Sequence, residues 1–461
     1  MTASRKAVQP DAPDGGQAAG PSAPDAGRGA PAGALTAPGA ADARRPGRER
    51  WLVRRVFPIL ATVGLIAIAM GSTTWWGPLI TGARGWPLPL DLWGTLAAAQ
   101  RLVHLDLGGL YTQPTGLVSF PGAAVILVPV VVLMDAVGVS VHVPGHDAHP
   151  AAWLVAGTYE IAISAVALFA ADALAEHLGA SRPKRAVLAA ASATALWSVA
   201  VNWGHPEDAV AVGLLMYAIL ALSQARTGRS AWLLGAGVAV QPLVLIALPI
   251  VLAALAPRRL AGFLARAATP SVVLLGAAAA ANWTATIHAV TNQPNWPTVD
   301  HPTPWVYLAP RMGHGAVAAG PGRALAIVVA CGCAIVVARR WGAARNGGPW
   351  SREILEDVLW WTAVALALRS VFESVMVAYY LWPVLAVALV VAVRSWPRLA
   401  TTCAAATIVT FGSQVSWHGP WSWWTAMIAG LALTLFCARL PMNFFHPSMS
   451  GSAVSRPPPG E

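Results

Sequence analysis

Apolar runs of roughly 20 residues, the length of a helix that crosses a bilayer, recur along most of this chain. Short polar segments separate them, and the pattern extends from residue 57 to residue 438. The runs lie near 57–74, 118–138, 152–176, 186–202, 208–224, 231–256, 262–287, 322–338, 354–372, 376–393, 399–415 and 422–438. The pattern predicts an all-α fold, a polytopic transmembrane helical bundle with about 10–12 membrane segments.

The two ends of the chain lack this pattern. Residues 1–50 are mostly Ala, Pro, Gly and Asp. A segment with so few large apolar side chains is predicted to be disordered. Residues 51–440 would then form the membrane domain, and residues 441–461 a flexible C-terminal tail. Arginines cluster between residues 44 and 55, which predicts a cytoplasmic N-terminus under the positive-inside rule.

The same rule predicts which loops face the cytoplasm, and two runs do not fit a single crossing. Basic loops near 182–185, 226–229, 258–266, 339–345 and 394–398 are predicted to be cytoplasmic. The run 231–256 has basic loops at both ends and is interrupted at Gln241-Pro242, so we predict two half-helices that enter and return. The run 118–138, which contains Pro121 and Pro129, is predicted to be re-entrant or interfacial. A local exception to the rule is the alternative for both.

Composition excludes an ordinary soluble domain. The chain is 56% hydrophobic and 11% charged, whereas soluble domains carry about 25% charged residues. The net charge of +10 comes almost entirely from arginine. Because the arginines lie at the ends of apolar runs, the positive-inside rule explains them without a nucleic-acid partner. The four cysteines lie within apolar runs, so we predict neither a disulfide framework nor a metal site from them.

The longest mixed polar segment between apolar runs is 86–121, and it carries two acids, Asp91 and Asp106. Asp91 precedes a predicted short helix at 92–105, so its carboxylate is either a helix cap or a general base, and the two roles are compatible. Asp106 is close to Gly108 and Gly109. That pattern is typical of a turn residue, with a substrate contact as the alternative.

The polar turn at 202–208 concentrates His205, Glu207 and Asp208 between two apolar runs. A helix is predicted to end at Gly204 and another to begin at Pro206. Acids in the first helical turn are an ordinary helix-start signal, which accounts for one of the two acids. A histidine together with both acids favours a functional site.

A third candidate lies near the C-terminal part of the chain, where Arg369 and Glu373 are one helical turn apart and can pair. Charges at membrane depth are costly and often mark function, and an arginine binds phosphate with two hydrogen bonds. A structural ion pair between helices is the alternative. Tyr379 follows in a Tyr-Tyr-Leu-Trp-Pro run. The Pro- and Trp-rich loop 293–305, which contains His301, is predicted either to cover a groove or to anchor in the membrane interface.

Few residues suggest a metal site. His142, His146, Asp147 and His149 could supply ligands, but their spacing matches no standard site. We therefore predict no cofactor, and a divalent metal is the alternative left open. Glu160 and Asp172 lie within one apolar run, and we expect each to be paired inside the bundle, with a proton relay as the alternative.

Several of these short motifs resemble those of the GT-C superfamily of membrane glycosyltransferases. They are Asp-Leu-Trp at 91–93, Gly-Leu-Tyr at 109–111, Pro-Gly at 121–122, His-Pro-Glu-Asp at 205–208, the half-helix pair at 235–242, and the run from Glu373 through Tyr379-Tyr380-Leu-Trp to Pro383. The resemblance covers residues 57–438. It is nearest to the bacterial branch that uses polyprenyl-phosphate sugars, such as polyprenol-phosphate-mannose-dependent mannosyltransferases.

The resemblance implies a multi-pass enzyme of the bacterial cell membrane with an extracytoplasmic active site. Its donor would be a polyprenyl-phosphate-linked sugar, and its acceptor a lipid or glycan. Asp91 would deprotonate the acceptor hydroxyl in an inverting reaction, and many family members carry two adjacent acids where this chain has Asp91 alone, which implies a metal-independent variant. Residues implied in donor phosphate binding are Arg369, His205 and Tyr379, and those implied in substrate binding are Glu207, Asp208, Glu373, Asp106 and His301.

Two other classes of function stay open on the sequence. A polytopic transporter or flippase of a lipid-linked or small substrate would share the apolar runs and the broken helices, although the chain shows no internal repeat. A purely structural or assembly protein of the membrane would not need the set formed by Asp91, His205 and Arg369.

Overall fold

The computed structural model describes residues 48–71, 90–112, 117, 119–141, 150–341, 348–415 and 421–440. Residues 1–47 and 441–461, which make up nearly all of the two predicted tails, lie outside this part of the chain. So does the cluster of His142, His146, Asp147 and His149. The chain divides into two units, residues 1–51 and residues 52–461, and the second unit contains the bundle described below.

The described residues form a bundle of α-helices, as the apolar pattern predicts. The α-helices are α1 (Arg48–Arg54), α2 (Val56–Gly71), α3 (Leu90–Val103), α4 (Pro121–Val125), α5 (Val128–Ala136), α6 (Pro150–Ser164), α7 (Val166–His177), α8 (Arg182–Leu196), α9 (Pro206–Ser223), α10 (Thr227–Val240), α11 (Leu248–Ala253), α12 (Pro257–Ala281), α13 (Trp283–Thr291), α14 (Gly322–Arg340), α15 (Arg352–Phe372), α16 (Trp382–Ala392), α17 (Trp396–Gly412) and α18 (Ser422–Ala438). Two short strands, β1 (His301–Pro302) and β2 (Val375–Met376), pair antiparallel.

Five helices of the described residues are long and apolar enough to cross a membrane. They are Leu154–His177, Arg182–Asn202, Pro206–Ser223, Pro257–Ala281 and Gly322–Arg340. Each overlaps an apolar run of the sequence. Shorter apolar helices at Val56–Gly71, Pro121–Ala136, Pro242–Ala253, Ala378–Ala392 and Ser422–Ala438 account for five more of the runs.

Two helices form the centre of the bundle. Every residue of α16 is buried, and so is nearly every residue of α9. A helix that is apolar all round must be enclosed by others, and α16 packs against α8, α15, α17 and α18 while α9 packs against α7 and α10. The buried start of α9 carries Glu207 and Asp208 into the interior.

Two predicted helices begin or end elsewhere than the sequence indicated. The run predicted at 262–287 stops at Ala281, because the Oδ1 atom of Asn282 accepts a hydrogen bond from the Ala285 N–H at 3.1 Å and caps a new helix, α13. The run predicted at 376–393 is helical only from Ala378, first as a 3₁₀ turn (Ala378–Leu381) and then as α16. Its first residue lies in β2, which pairs with β1 through His301 opposite Met376.

The predicted break at Gln241-Pro242 is confirmed. Helix α10 ends at Val240, Gln241 is extended with φ −147° and ψ 114°, and a 3₁₀ helix (Pro242–Ala247) leads into α11. Proline cannot donate the backbone hydrogen bond that would continue the helix. Nearby, Gly122 of α4 lies against the backbone of Ala239, where a side chain would collide. Helix α4 therefore supports the end of α10.

Buried acids behave in two different ways. Asp172 is 1% exposed and pairs with Arg55 and Arg185, each at 2.6 Å, so its expected pairing is confirmed. Glu160 is fully buried, but neither of its carboxylate oxygens has a hydrogen-bond partner in the described part of the chain. The expected pairing of Glu160 is therefore wrong, because α6 places it near Glu207 and His205 without a hydrogen bond to either.

Candidate active site

The turn before α9 has an unusual backbone that fixes His205. Helix α8 continues as a π-helix (Trp197–Asn202), and the N–H of His205 donates back to the carbonyl oxygen of Val199 at 3.0 Å. Gly204 adopts φ +62°, a left-handed conformation that favours glycine. Pro206 then begins α9. The predicted helix start at Pro206 is confirmed, whereas the preceding helix ends at Asn202, two residues before the predicted end at Gly204. Turns of π-helix often lie at functional sites.

His205 links two carboxylates. Its Nδ1 atom lies 2.7 Å from Oε1 of Glu207, and its Nε2 atom lies 3.2 Å from Oδ2 of Asp91. His205 and Glu207 are buried, whereas the Asp91 side chain is 59% exposed. Asp91 lies in the first turn of α3, at the predicted helix start. The arrangement holds one solvent-facing carboxylate against a buried His-Glu pair.

The charges of this triad favour a protonated histidine and an ionised Asp91. Burial alone would lower the pKa of His205, but the carboxylates of Glu207 and Asp91 together raise that pKa well above its usual value. The hydrogen bond from His205 lowers the pKa of Asp91. With both ring nitrogens protonated, His205 donates to both acids and fixes the orientation of the Asp91 carboxylate.

An aromatic stack connects this triad to Arg369. The ring of His205 stacks on Tyr379 with the ring centres 3.9 Å apart. Tyr379 meets Tyr380 edge-on at 4.7 Å, and the guanidinium carbon of Arg369 lies 3.8 Å from the centre of the Tyr380 ring. The structure therefore brings Asp91, His205, Tyr379 and Arg369 into one region, as the sequence analysis expected.

Glu373 is held by two arginines. It is fully buried, and Arg323 of α14 donates through Nε to its two oxygens at 3.0 and 3.1 Å. Arg369 approaches it at 3.7 Å, which confirms the predicted pair one helical turn apart. Arg323 also donates to Gln293 at 2.9 Å. The group carries a net positive charge, because two guanidinium groups face one carboxylate.

A cavity of about 180 Å³ opens beside this group. Arg323, Arg369, Glu373, Gln241 and Gln293 form its polar side. Its other side is apolar and is formed by Leu243, Leu245, Ile246, Ala326 and Ile327. Leu245 and Ile327 remain 39% and 47% exposed, so the apolar side opens at the surface of the bundle. A ligand with a polar head and an apolar tail would match both sides.

Asp208 connects the helix break to the site. The side-chain amide of Gln241 donates to Oδ1 of Asp208 at 2.7 Å. The other oxygen, Oδ2, is buried without a hydrogen-bond partner among the described residues, and so is the Nη1 atom of Arg369. Unsatisfied buried polar atoms are rare in native structures. Both atoms can therefore form a hydrogen bond with a ligand bound at this site.

The loop 293–321 lies against the site through several contacts. His301 stacks on Trp423 at 3.9 Å, and the Thr303 hydroxyl donates to the carbonyl oxygen of Glu373 at 2.6 Å. The indole of Trp305 donates to the carbonyl oxygen of Val371 at 2.7 Å. The contacts of Thr303 and Trp305 attach the loop to the segment that carries Glu373 and Tyr379, and the stack of His301 on Trp423 attaches it to α18. His301 itself supports this attachment and has no described contact with His205.

Asp106 takes the turn role that the sequence analysis weighed against a substrate contact. Its carboxylate accepts from the Gly109 N–H at 2.8 Å and pairs with Arg101 at 2.8 Å. The side chain is 40% exposed. The structure does not join it to the His205 triad.

Among the residues that the structure describes, no group of three or more His, Cys, Asp or Glu side chains is arranged to hold a metal.

No protein-family model matches the sequence. A search of curated proteins also finds no match. The geometry of the site therefore carries the functional argument.

The sequence analysis missed Arg323, Asp300 and the role of Gln241 as a site residue. Arg323 had a signal that could have been used, because it lies at the end of an apolar run opposite Arg339 and Arg340, where the positive-inside rule places no arginine. Asp300 lies in the Pro- and Trp-rich loop 293–305, but nothing in the sequence showed that it approaches Asp91. Asp300 and Asp91 interact electrostatically only because the fold brings these distant residues together.

Asp300 gives the site a pH dependence. Burial raises the pKa of Asp300 to about 6 from an ordinary value of 3.8, and the charge of Asp91 adds to the increase. The folded state therefore favours the protonated carboxyl, and it loses stability relative to the unfolded state as pH rises from about 3.8 to about 6. We expect Asp300→Asn to raise the unfolding temperature relative to the wild type at about pH 7.5, and to raise it clearly less at about pH 4.5.

Thermal unfolding in detergent at the two pH values measures this difference. Asp135→Asn is the matched control, because it removes an exposed carboxylate on α5. The same pH-dependent gain in both variants would contradict the assignment to Asp300.

Proposed function

We propose that this protein is a membrane glycosyltransferase. It moves a sugar from a polyprenyl-phosphate donor to an acceptor hydroxyl of a lipid or glycan, at the extracytoplasmic face of the bacterial cell membrane. The observation that carries the proposal is the joint placement of an oriented, exposed carboxylate and an arginine-lined amphipathic cavity. Asp91 is linked to Arg369 through His205, Tyr379 and Tyr380.

Asp91 is the proposed general base. It is exposed enough to meet an acceptor, it is ionised, and His205 fixes its direction. A base must lie within hydrogen-bonding distance of the proton it removes, and the first turn of α3 presents the carboxylate to the outside of the triad. The low pKa of Asp91 makes it a weak base, and Asp300, with its raised pKa, is the neighbouring carboxylate that could share the role.

The donor phosphate is proposed to bind at Arg369 and Arg323. Both guanidinium groups line the cavity beside Glu373, and Nη1 of Arg369 lacks a hydrogen-bond partner in the described structure. Guanidinium groups bind phosphate with paired hydrogen bonds. The apolar side of the cavity, with Leu245 and Ile327 at its open edge, suits the first isoprene units of the lipid.

The reaction then follows in one displacement. The acceptor oxygen attacks the anomeric carbon while Asp91 takes the hydroxyl proton. The bond between the anomeric carbon and the phosphate oxygen breaks, and its electron pair leaves with the polyprenyl phosphate. Arg369 and Arg323 stabilise the charge that develops on that phosphate, which is the type of electrostatic contribution that most enzymes use. The configuration at the anomeric carbon inverts.

The direct test uses the purified full-length protein in bilayer nanodiscs. We expect it to release polyprenyl phosphate from at least one labelled polyprenyl-phosphate hexose or pentose when an acceptor lipid extract is present. Product and released lipid are separated by thin-layer chromatography. Absence of release from every such donor, with protein that is folded by its thermal unfolding profile, would overturn the proposal.

One pair of observations favours a transporter as the second candidate. Transporters use interrupted helices and intramembrane acids. Here α10 breaks at Gln241, and Glu160 is a buried carboxylate without a hydrogen-bond partner in the described residues. A transporter would move a labelled lipid-linked sugar across vesicles without cleaving it, so intact donor on the opposite leaflet would favour this alternative.

A further inference from the structure

A second cavity lies at the end of the bundle opposite His205. It is an open depression with a volume of about 520 Å³, and it lies between the start of α10 and the start of α12. Five arginines line it, and its lining contains no acid. They are Arg226, Arg229, Arg258, Arg259 and Arg266. Gly228 and Gly262 are also in the lining and add no side chains of their own to it.

Several other arginines, most of them in the predicted basic loops, are neutralised by acids. Arg55 and Arg185 pair with Asp172, Arg394 and Arg398 pair with Glu356, and Arg439 pairs with Asp357. The five cavity arginines differ, because none has a carboxylate partner within the described ranges. Their hydrogen bonds there are to neutral groups, from Arg259 to the Thr227 hydroxyl and from Arg266 to the Gly262 carbonyl, both at 3.2 Å.

Five close cations without counter-charges repel one another, so a bound anion would relieve this repulsion. Guanidinium groups bind phosphate oxygens with paired hydrogen bonds. The volume of the cavity exceeds that of a single phosphate, which leaves room for the rest of a headgroup. The chemistry of the lining therefore selects a phosphate-bearing ligand.

The surroundings of the cavity indicate that the ligand is a lipid. Helix α12 is one of the five helices that could cross a membrane, and most of its apolar surface is exposed. Trp232 and Leu264 are 49% and 40% exposed on the two helices that border the cavity. Tryptophan is enriched where membrane meets water. We propose that this cavity binds the phosphate headgroup of an anionic membrane lipid, whose acyl chains lie along α12.

The proposal is independent of the enzyme activity and is tested by lipid binding. The purified full-length protein in detergent is titrated with dioleoyl phosphatidylglycerol, and bound lipid is counted by native mass spectrometry. Phosphatidylcholine with the same acyl chains tests the need for net negative charge. Inorganic phosphate at matched ionic strength tests whether the free anion occupies the same cavity.

The informative variant combines Arg229→Gln with Arg258→Gln. We expect it to bind phosphatidylglycerol about 30-fold more weakly, since each arginine near an anionic headgroup contributes about a factor of five. Its control combines Arg339→Gln with Arg340→Gln, which removes the same charge from the exposed end of α14 outside the cavity. We expect that control to bind within about twofold of the wild type. Arg229→Lys with Arg258→Lys should recover part of the affinity, because the charge returns without the paired hydrogen bonds.

Three results would overturn the proposal. Equal losses in the cavity variant and its control would mean that only overall charge matters. Equal binding of phosphatidylcholine would remove the requirement for an anion. Displacement of phosphatidylglycerol by inorganic phosphate, with the free anion bound in its place, would show that the cavity takes a soluble phosphate and not a lipid.

Discussion

Asp91→Asn is expected to reduce sugar transfer by about 10²- to 10⁴-fold, the usual contribution of a general base. The amide keeps the size of the side chain and can still accept a hydrogen bond from His205, but it cannot take a proton from the acceptor. Because the Asp91 side chain is 59% exposed, we expect the thermal unfolding temperature to change little. Release of labelled polyprenyl phosphate measures the rate.

Two neighbouring carboxylates serve as controls for Asp91. Asp106→Asn alters the same polar segment without touching the His205 triad, because Asp106 pairs with Arg101 and Gly109, and it should retain most of the activity. Asp300→Asn should cost less than Asp91→Asn. The reverse order would transfer the role of base to Asp300, and full activity in Asp91→Asn would remove Asp91 from the mechanism.

Glu373→Gln is expected to lower the free energy of unfolding by about 3 kcal/mol, which is typical for removing one member of a buried ion pair. Glu373 is fully buried, and it is the one carboxylate that both Arg323 and Arg369 contact in the described structure. Its neutralisation would leave two facing guanidinium groups without compensation. The same change should weaken donor binding, because both arginines lose the contact that positions them.

Glu353→Gln is the matched control, on the same helix, α15. Glu353 is 73% exposed and lies 3.7 Å from Arg394, so its loss should change the free energy of unfolding far less than the loss of Glu373. Denaturant unfolding in detergent, followed by tryptophan fluorescence, measures both variants. Similar small losses in the two would show that the buried pair contributes no more than a surface pair.

The sequence predicted those features that depend on local chemistry. Apolar runs identified the helices, Pro242 identified the break after α10, and Gly204 with Pro206 identified the turn that holds His205. Each signal lies within a few residues of the structure it causes. The presence of Asp91, His205 and Arg369 in one region was also expected, although from resemblance and predicted orientation and not from any local pattern.

Features that depend on contacts between distant segments could not be predicted in this way. The pairing of β1 with β2 joins residues more than 70 positions apart, and no alternating pattern marks strands of two residues. Arg323 reaches Glu373 because Gly322 lies against the backbone of Phe372, where any side chain would collide. The π-helix before His205 inserts into an ordinary apolar run, which gives no compositional signal.

The apolar side of the smaller cavity opens between Leu245 and Ile327, at the exterior of the bundle. On the proposed function, this opening lets a donor arrive sideways from the acyl-chain layer without passing through water. The concentration that governs turnover is then the mole fraction of donor among the surrounding lipids, not its molarity in the aqueous phase. The reaction rate would then saturate with the surface density of donor in the bilayer, where enzyme and donor both diffuse.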